Sequence, residues 1–92
     1  AQAMAELRTQ ITGDLRAAAN DQKGVLLEQY LRSPRAAVRA IAAEQAASLA
    51  GTGDVPAAVR SLLPSLVDDP SVDVRLGVAR ALLQINDRAA LE

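Results

Sequence analysis

Apolar positions in this chain recur at helical spacing in discrete runs. Val59, Leu62, Leu63, Leu66 and Val67 follow one another three and four residues apart, which places them on one face of a helix. Val74, Val78, Leu82 and Ile85 form a second stripe that ends at Asn86-Asp87. Asp69-Pro70-Ser71 between the stripes reads as a helix start, and Asp54 reads as another, an N-cap with Pro56 in the first turn. Pro64 falls inside the first stripe and predicts a bend, because its ring removes a backbone hydrogen bond. Earlier in the chain Leu26, Leu27, Tyr30 and Leu31 predict one helix and Ser33-Pro34 a break. Val38, Ala42, Gln45, Ala46 and Leu49 predict the next helix, which Gly51-Thr52-Gly53 ends.

These two pairs of helices are copies of each other. Offset by 36 positions, Leu26-Leu27 falls on Leu62-Leu63, Leu31 on Val67, Pro34 on Pro70, Val38-Arg39 on Val74-Arg75, Ala43 on Ala79 and Leu49 on Ile85. A fixed period of this length marks a solenoid array of helical hairpins. The tripeptide Thr12-Gly13-Asp14 recurs as Thr52-Gly53-Asp54, and Asn86-Asp87 resembles its end. On one reading each closes a hairpin and caps the next helix, so that residues 1 to 11 are the tail of one helix and 88 to 92 the start of another. The chain is then a segment of a longer array. On the other reading a single helix runs from about residue 2 to 19, with Met4, Leu7, Ile11, Leu15 and Ala18 on its stripe, and a fresh helix starts at Asp21 after the polar stretch Asn20 to Gly24. The divisions are therefore 1–20 for an N-terminal helix or partial repeat, 21–53 and 54–87 for two repeats, and 88–92 for a further helix or tail.

Composition sharpens the fold class. Half of the 92 residues are apolar, but Tyr30 is the one aromatic, and the apolar mass is Ala, Leu and Val. Small side chains suit helix against helix better than a sheet, so the expected class is all-α. A chain this short buries only about 60 to 65% of its unfolded surface, which predicts modest stability. Ten basic and eleven acidic residues exert no overall pull on nucleic acid or anionic membranes. With no Cys there is neither a disulfide framework nor a thiolate metal site, and the redox compartment stays open. Charges interrupt every apolar run before the roughly 18 residues of a membrane span, and Ala1 to Ala5 do not resemble a signal peptide, so the chain reads as soluble.

The stretch LLPSLVDDPSVDVRLGVARALLQIND resembles a HEAT repeat: leucines in helix A, an Asp (Asp69), Val-Arg opening helix B (Val74-Arg75), then Ala79, Leu82 and Ile85. The earlier copy is similar at Val38-Arg39, Ala43 and Leu49, with Ser33 where the Asp belongs. The resemblance implies a right-handed α-α superhelix of antiparallel hairpins. It also implies a structural ladder in which Arg39 reaches Asp69 on the neighbouring unit and Arg75 has the equivalent place. The usual binding surface of such arrays is the concave one, lined by the second helix of each hairpin.

Candidate chemistry is sparse. Absence of His and Cys removes the commonest general base, nucleophile and transition-metal ligands. Asp68, Asp69 and Asp73 cluster where acids are favoured at a helix start, and Gly51-Thr52-Gly53 lacks the following Lys of a phosphate loop. Catalytic residues, metal and cofactor are accordingly expected to be none. On a helical wheel with Val74 toward the core, Asp73, Leu76, Arg80, Leu83 and Gln84 gather between about 180° and 280°. The equivalent set in the earlier copy is Ala37, Ala40, Glu44, Ala47 and Ser48. An apolar pair one heptad apart on an otherwise exposed face suits a partner contact. The function expected is a noncatalytic protein-interaction or scaffolding module whose partner is a protein, a peptide or another domain of its own chain, not nucleic acid or a membrane. Self-association through open repeat edges is a further expectation. The alternatives are an accessory or fragment of a lyase-type or DNA-glycosylase-type enzyme, or weak nucleic-acid binding through the Arg residues.

Overall fold

Proline and glycine set two of the chain's interruptions, and burial decides the rest. The computed structural model describes the backbone of residues 2–52 and 55–91, and the side chains of residues 5–19, 21–51 and 55–86. The elements are α1 (Gln2–Ala17), α2 (Asn20–Leu31), α3 (Ala36–Thr52), α4 (Ala57–Leu62), a 3-10 turn (Leu63–Leu66) and α5 (Val72–Leu91). Among the described residues there is no strand, so the fold is all-α. α3 packs along α5 over its most extensive contact and also touches α1 and α2, while α2 lies against α4. Helices α1, α3 and α5 thus form one layer and α2 with α4 and the 3-10 turn the other, in a solenoid-like stack of hairpins 40 × 31 × 19 Å across.

The tripeptide at Thr12-Gly13-Asp14 does not break the chain: α1 runs through it as a single helix. Glycine in a helix interior costs about 1 kcal/mol, but Ile11 and Leu15 on either side are 2% and 8% exposed. Each such burial contributes about 1.5 to 3 kcal/mol, so the continuous helix wins. The later copy differs in having Gly51 before it and Pro56 after it, and α3 ends at Thr52. Nor does Asn86-Asp87 end a helix. With no glycine or proline behind it, α5 continues to Leu91, so 88–91 belong to that helix and start no new one. Asp54, expected as an N-cap, lies outside the described residues; Pro56 is the residue that precedes α4, one position short of the first turn. The polar stretch from Asn20 to Gly24 forms the opening of α2, one residue earlier than expected, after a link of only Ala18 and Ala19.

Pro64 stops a helix outright instead of bending it. α4 ends at Leu62 and tightens into the 3-10 turn, in which side chains advance by about 120° per residue. By Val67 the stripe has rotated outward, and Val67 is 44% exposed where the periodicity predicts core. The core itself joins Ile11, Leu15, Leu27, Leu31, Val59 and Leu63 to α3 and to Val74, Val78 and Ala81 of α5. α3 is buried on several sides: Val38, Ala42 and Ala46 as its stripe predicts, and also Ala40, Ile41, Ala43 and Ala50.

A charged pair ties the two hairpins together. Arg39 Nε donates to Asp69 Oδ2 at 2.9 Å and its Nη2 to Oδ1 at 3.1 Å, while Oδ1 also accepts the Ser71 amide at 3.0 Å. The remaining nitrogen, Nη1 of Arg39, donates to the Ser33 carbonyl at 2.9 Å, and Arg75 Nη1 donates to the Asp69 carbonyl at 2.6 Å. Each Arg therefore folds back on the carbonyl six residues before it. The Asp69 side chain is only 6% exposed and that of Arg39 16%, so water screens this pair little. Hydrogen bonding from Arg39 lowers the Asp69 pKa most, against the opposing effect of burial; the Ser71 amide and the charges of Arg39 and Arg75 lower it further.

Two outcomes follow in denaturation experiments. A Cβ on Gly77 would lie 2.7 Å from Ala43 Cβ, whereas one on Gly13 meets nothing within 4 Å. Gly77→Ala should therefore destabilise by about 1 to 3 kcal/mol despite better helix propensity, and Gly13→Ala should stabilise by about 0.5 to 1 kcal/mol. Urea melts showing equal effects at the two sites would refute the close crossing. Asp69→Asn should cost about 1.5 to 3 kcal/mol at neutral pH. Because the folded pKa is depressed, the contribution of the carboxylate is complete above its ordinary value of 3.8 and is lost as pH falls through the lower folded value. The gap between wild type and Asp69→Asn should narrow on acidification, and a gap that widens contradicts the assignment.

Candidate partner-binding face

Opposite Val74, α5 presents Leu76 and Leu83 to solvent at 53% and 61% exposure. Asp73, Arg80 and Gln84 beside them are also exposed, as are Glu44 and Ser48 on α3. On α5 these positions are fixed by the far side of the helix: Val74 and Val78 are fully buried against the core, and residues half a turn away face outward.

Two adjoining depressions lie along the α3–α5 seam on this open face. The larger, about 520 Å³, is lined by Glu44, Ala47 and Ser48 with Gly51 from α3 and by Arg80, Leu83 and Gln84 from α5. The smaller, about 270 Å³, has Ala40 and Glu44 on one side, Asp73, Leu76, Gly77 and Arg80 on the other, and Arg8 of α1 at its edge. All seven surface residues singled out from the sequence thus border one continuous trough, with Glu44 and Arg80 shared between its halves. The α3 wall is low because its side chains there are small; the α5 wall is raised by the two leucines. Arg39, Asp69 and Arg75 line neither depression.

Arg8 is the residue that sequence reasoning missed. Its Nε and Nη2 donate to Glu44 Oε2 and Oε1, each at 3.2 Å, in a forked pair about half exposed on both sides. The separation is 36 residues, the repeat period, and Arg80 lies the same interval beyond Glu44. Arg8, Glu44 and Arg80 therefore occupy one register position on three neighbouring helices, with alternating sign. Extending the period one step back from Glu44 would have found the pair. Glu44 is engaged by Arg8, and Arg80 makes no ion pair or side-chain hydrogen bond among the described residues; the same is true of Asp73.

Tyr30 stands apart from the trough. It is half-buried on α2, and its hydroxyl donates to Asp14 Oδ2 at 3.0 Å. Burial chiefly, then that hydrogen bond and the charge of Asp14, raise its pKa, so the phenol is neutral and donating. Among the described residues no three acidic side chains are placed to hold a metal ion, and no helix is long and apolar enough to cross a membrane. What the face offers is apolar contact at two points 7 residues apart on one helix, with a cation between them. That arrangement suits binding.

Comparison with known proteins agrees with the architecture. No curated protein and no solved structure matches this sequence. A sequence profile described as HEAT repeats matches residues 24–92, from the middle of α2 onward and three quarters of the chain. The chain belongs to the HEAT repeat family.

Proposed function

We propose that this chain is a noncatalytic binding module whose working surface is the trough between α3 and α5. HEAT repeats are commonly protein-interaction and scaffolding modules, and the observation that carries the reading here is the exposure of Leu76 and Leu83 around Arg80, which has no ion-pair partner among the described residues. An exposed leucine by itself needs no explanation. Two of them on the same helix face, beside a trough floored by Ala40 and Gly77, give a partner somewhere to seat. The partner that fits is a protein segment with apolar side chains about two helical turns apart and an acidic group between them to meet Arg80. Glu44 and Ser48 supply the polar rim on the α3 side, Asp73 and Gln84 on the α5 side. Arg39, Asp69 and Arg75 act beneath the surface as the ladder that keeps the two hairpins, and so the two walls, in register.

Nucleic acid is disfavoured by the same charges. Arg8 is neutralised by Glu44, and Glu44 and Asp73 flank Arg80, so the trough carries no basic stripe to follow a phosphate backbone. With no His and no Cys, catalysis would have to rest on carboxylates.

Peptides selected by display against the wild-type chain provide the test. Leu76→Asp and Leu83→Asp should each weaken the selected peptides by about tenfold or more, or about 1.4 kcal/mol, with helicity and melting temperature nearly unchanged. Arg80→Glu should do the same to acidic peptides. Val25→Asp, at an exposed position on α2, is the control and should have no effect. Binders that ignore all three trough substitutions would place the binding surface elsewhere.

A further inference from the structure

We infer that the trough-side face of α5 pairs with α5 of a second copy of this chain, antiparallel, about a two-fold axis. The inference rests on the reading of this face as a binding surface and names its occupant. α5 carries two apolar stripes. Val74, Val78 and Ala81 are buried in the core. The second stripe, Val72, Leu76, Ala79 and Leu83, is spaced 4, 3 and 4 residues apart and is exposed along its whole length. This is the alternation of a helix-pairing seam, about 16 Å long at 1.5 Å per residue, and Val72 and Leu76 are 57% and 53% exposed.

Charge selects both the partner and its direction. Asp73 and Arg80 follow Val72 and Ala79 on the same flank of the seam, and neither has an ion-pair partner among the described residues. In an antiparallel pair with Val72 against Leu83 of the other copy and Leu76 against its Ala79, flanking residues of like heptad position meet across the seam. Asp73 then comes within reach of the second copy's Arg80, and the two-fold repeats the contact. A parallel pair would instead bring Arg75 of one copy toward Arg80 of the other, a like-charge contact, and would stack Ala79 on Ala79 with a gap. An opposite-charge pair placed at inverse positions about the centre of an apolar seam is self-complementary. Four side chains a copy cover less than the ~800 Å² per partner of a standard interface, so the dimer is weak, with a Kd on the order of tens of micromolar.

Sedimentation equilibrium over a range of concentrations tests this with five proteins: wild type, Leu76→Asp, Asp73→Arg, Arg80→Asp, and the double reversal Asp73→Arg with Arg80→Asp. Wild type should dimerise reversibly, and more weakly as salt rises. Leu76→Asp should abolish the dimer. Each single reversal should weaken it by about three- to tenfold, through two lost pairs of up to about 1 kcal/mol each, and the double reversal should return to within about twofold of wild type. All three substituted positions are exposed, and circular dichroism verifies that each variant keeps the fold. A wild type that stays monomeric overturns the pairing, as does a dimer indifferent to Leu76→Asp or a double reversal without rescue. If the chain is monomeric while display-selected peptides still depend on Leu76, the binding face stands and the second copy is the wrong occupant. If neither dimer nor peptide depends on Leu76, both readings fall.

Discussion

Gly77 of α5 sits against Ala43 of α3 so closely that a single added carbon would come 2.7 Å from the Ala43 methyl, and this approach underlies the architecture. A chain with one aromatic has almost no ring with which to fill a gap between helices. Its route to density is to bring backbones together, which requires small residues at the crossing. α3 meets that requirement along its length with Ala40, Ala42, Ala43, Ala46 and Ala50, all buried. Each methyl contributes little, about 0.8 kcal/mol per buried carbon, so a long contact substitutes for a deep one. The α3–α5 seam is accordingly the most extensive in the molecule. Gly24 repeats the device in the other layer, where a Cβ would lie 2.8 Å from Pro56.

Close packing of this kind resists sliding poorly, because alanines offer no interlocking ridges. The Arg39–Asp69 pair supplies the register. The Asp69 carboxylate accepts three hydrogen bonds, two of them from the guanidinium of the preceding unit, and the forked geometry fixes distance and angle together. Ser33 stands at the equivalent of Asp69 and offers Arg39 its carbonyl, as Asp69 does Arg75, but has no carboxylate to offer. A carbonyl within the unit orients the Arg; a carboxylate on the next unit gives it something to hold. Burial of a charge is tolerable here because every acceptor is used, and among the described residues no buried side-chain nitrogen or oxygen lacks a partner.

Much of this was legible from local chemistry, and what was not depended on neighbours. Ser33-Pro34 and Asp69-Pro70-Ser71 read as breaks because proline excludes helix interiors, and both fall between helices. The Thr-Gly-Asp tripeptide misled because its own residues do not decide the outcome: Gly13 is carried by Ile11 and Leu15, whereas α3 ends where Gly51 and Pro56 flank the second copy. A periodic stripe recovers one face of a helix, so Ile41 and Ala50 escaped notice, and Ala40, placed by the wheel on the outward face, is only 5% exposed on a helix that touches three others. Their burial is a property of α1, α2 and α5 as much as of α3. The residues at the trough were placed by wheel geometry from Val74, which works on α5 because one side of it is unambiguously core. Arg8 was not placed, since nothing on α1 by itself points to Glu44.

The row Arg8, Glu44, Arg80 sets positions that hold the fold apart from positions that do not. Inward positions at the 36-residue interval hold nearly constant chemistry: Leu27 and Leu63, Val38 and Val74. The outward position at the same interval changes sign from one helix to the next, and it can do so because no core contact constrains it. Alternation has an energetic consequence, since the first two charges neutralise each other at 3.2 Å and the third has no ion-pair partner among the described residues. A surface pair about half exposed adds at most about 1 kcal/mol to stability, so the fold has little stake in which charge stands at position 80. Among the described residues Arg80 has no ion-pair partner, and beside the exposed Leu76 and Leu83 its charge remains available for the association proposed above.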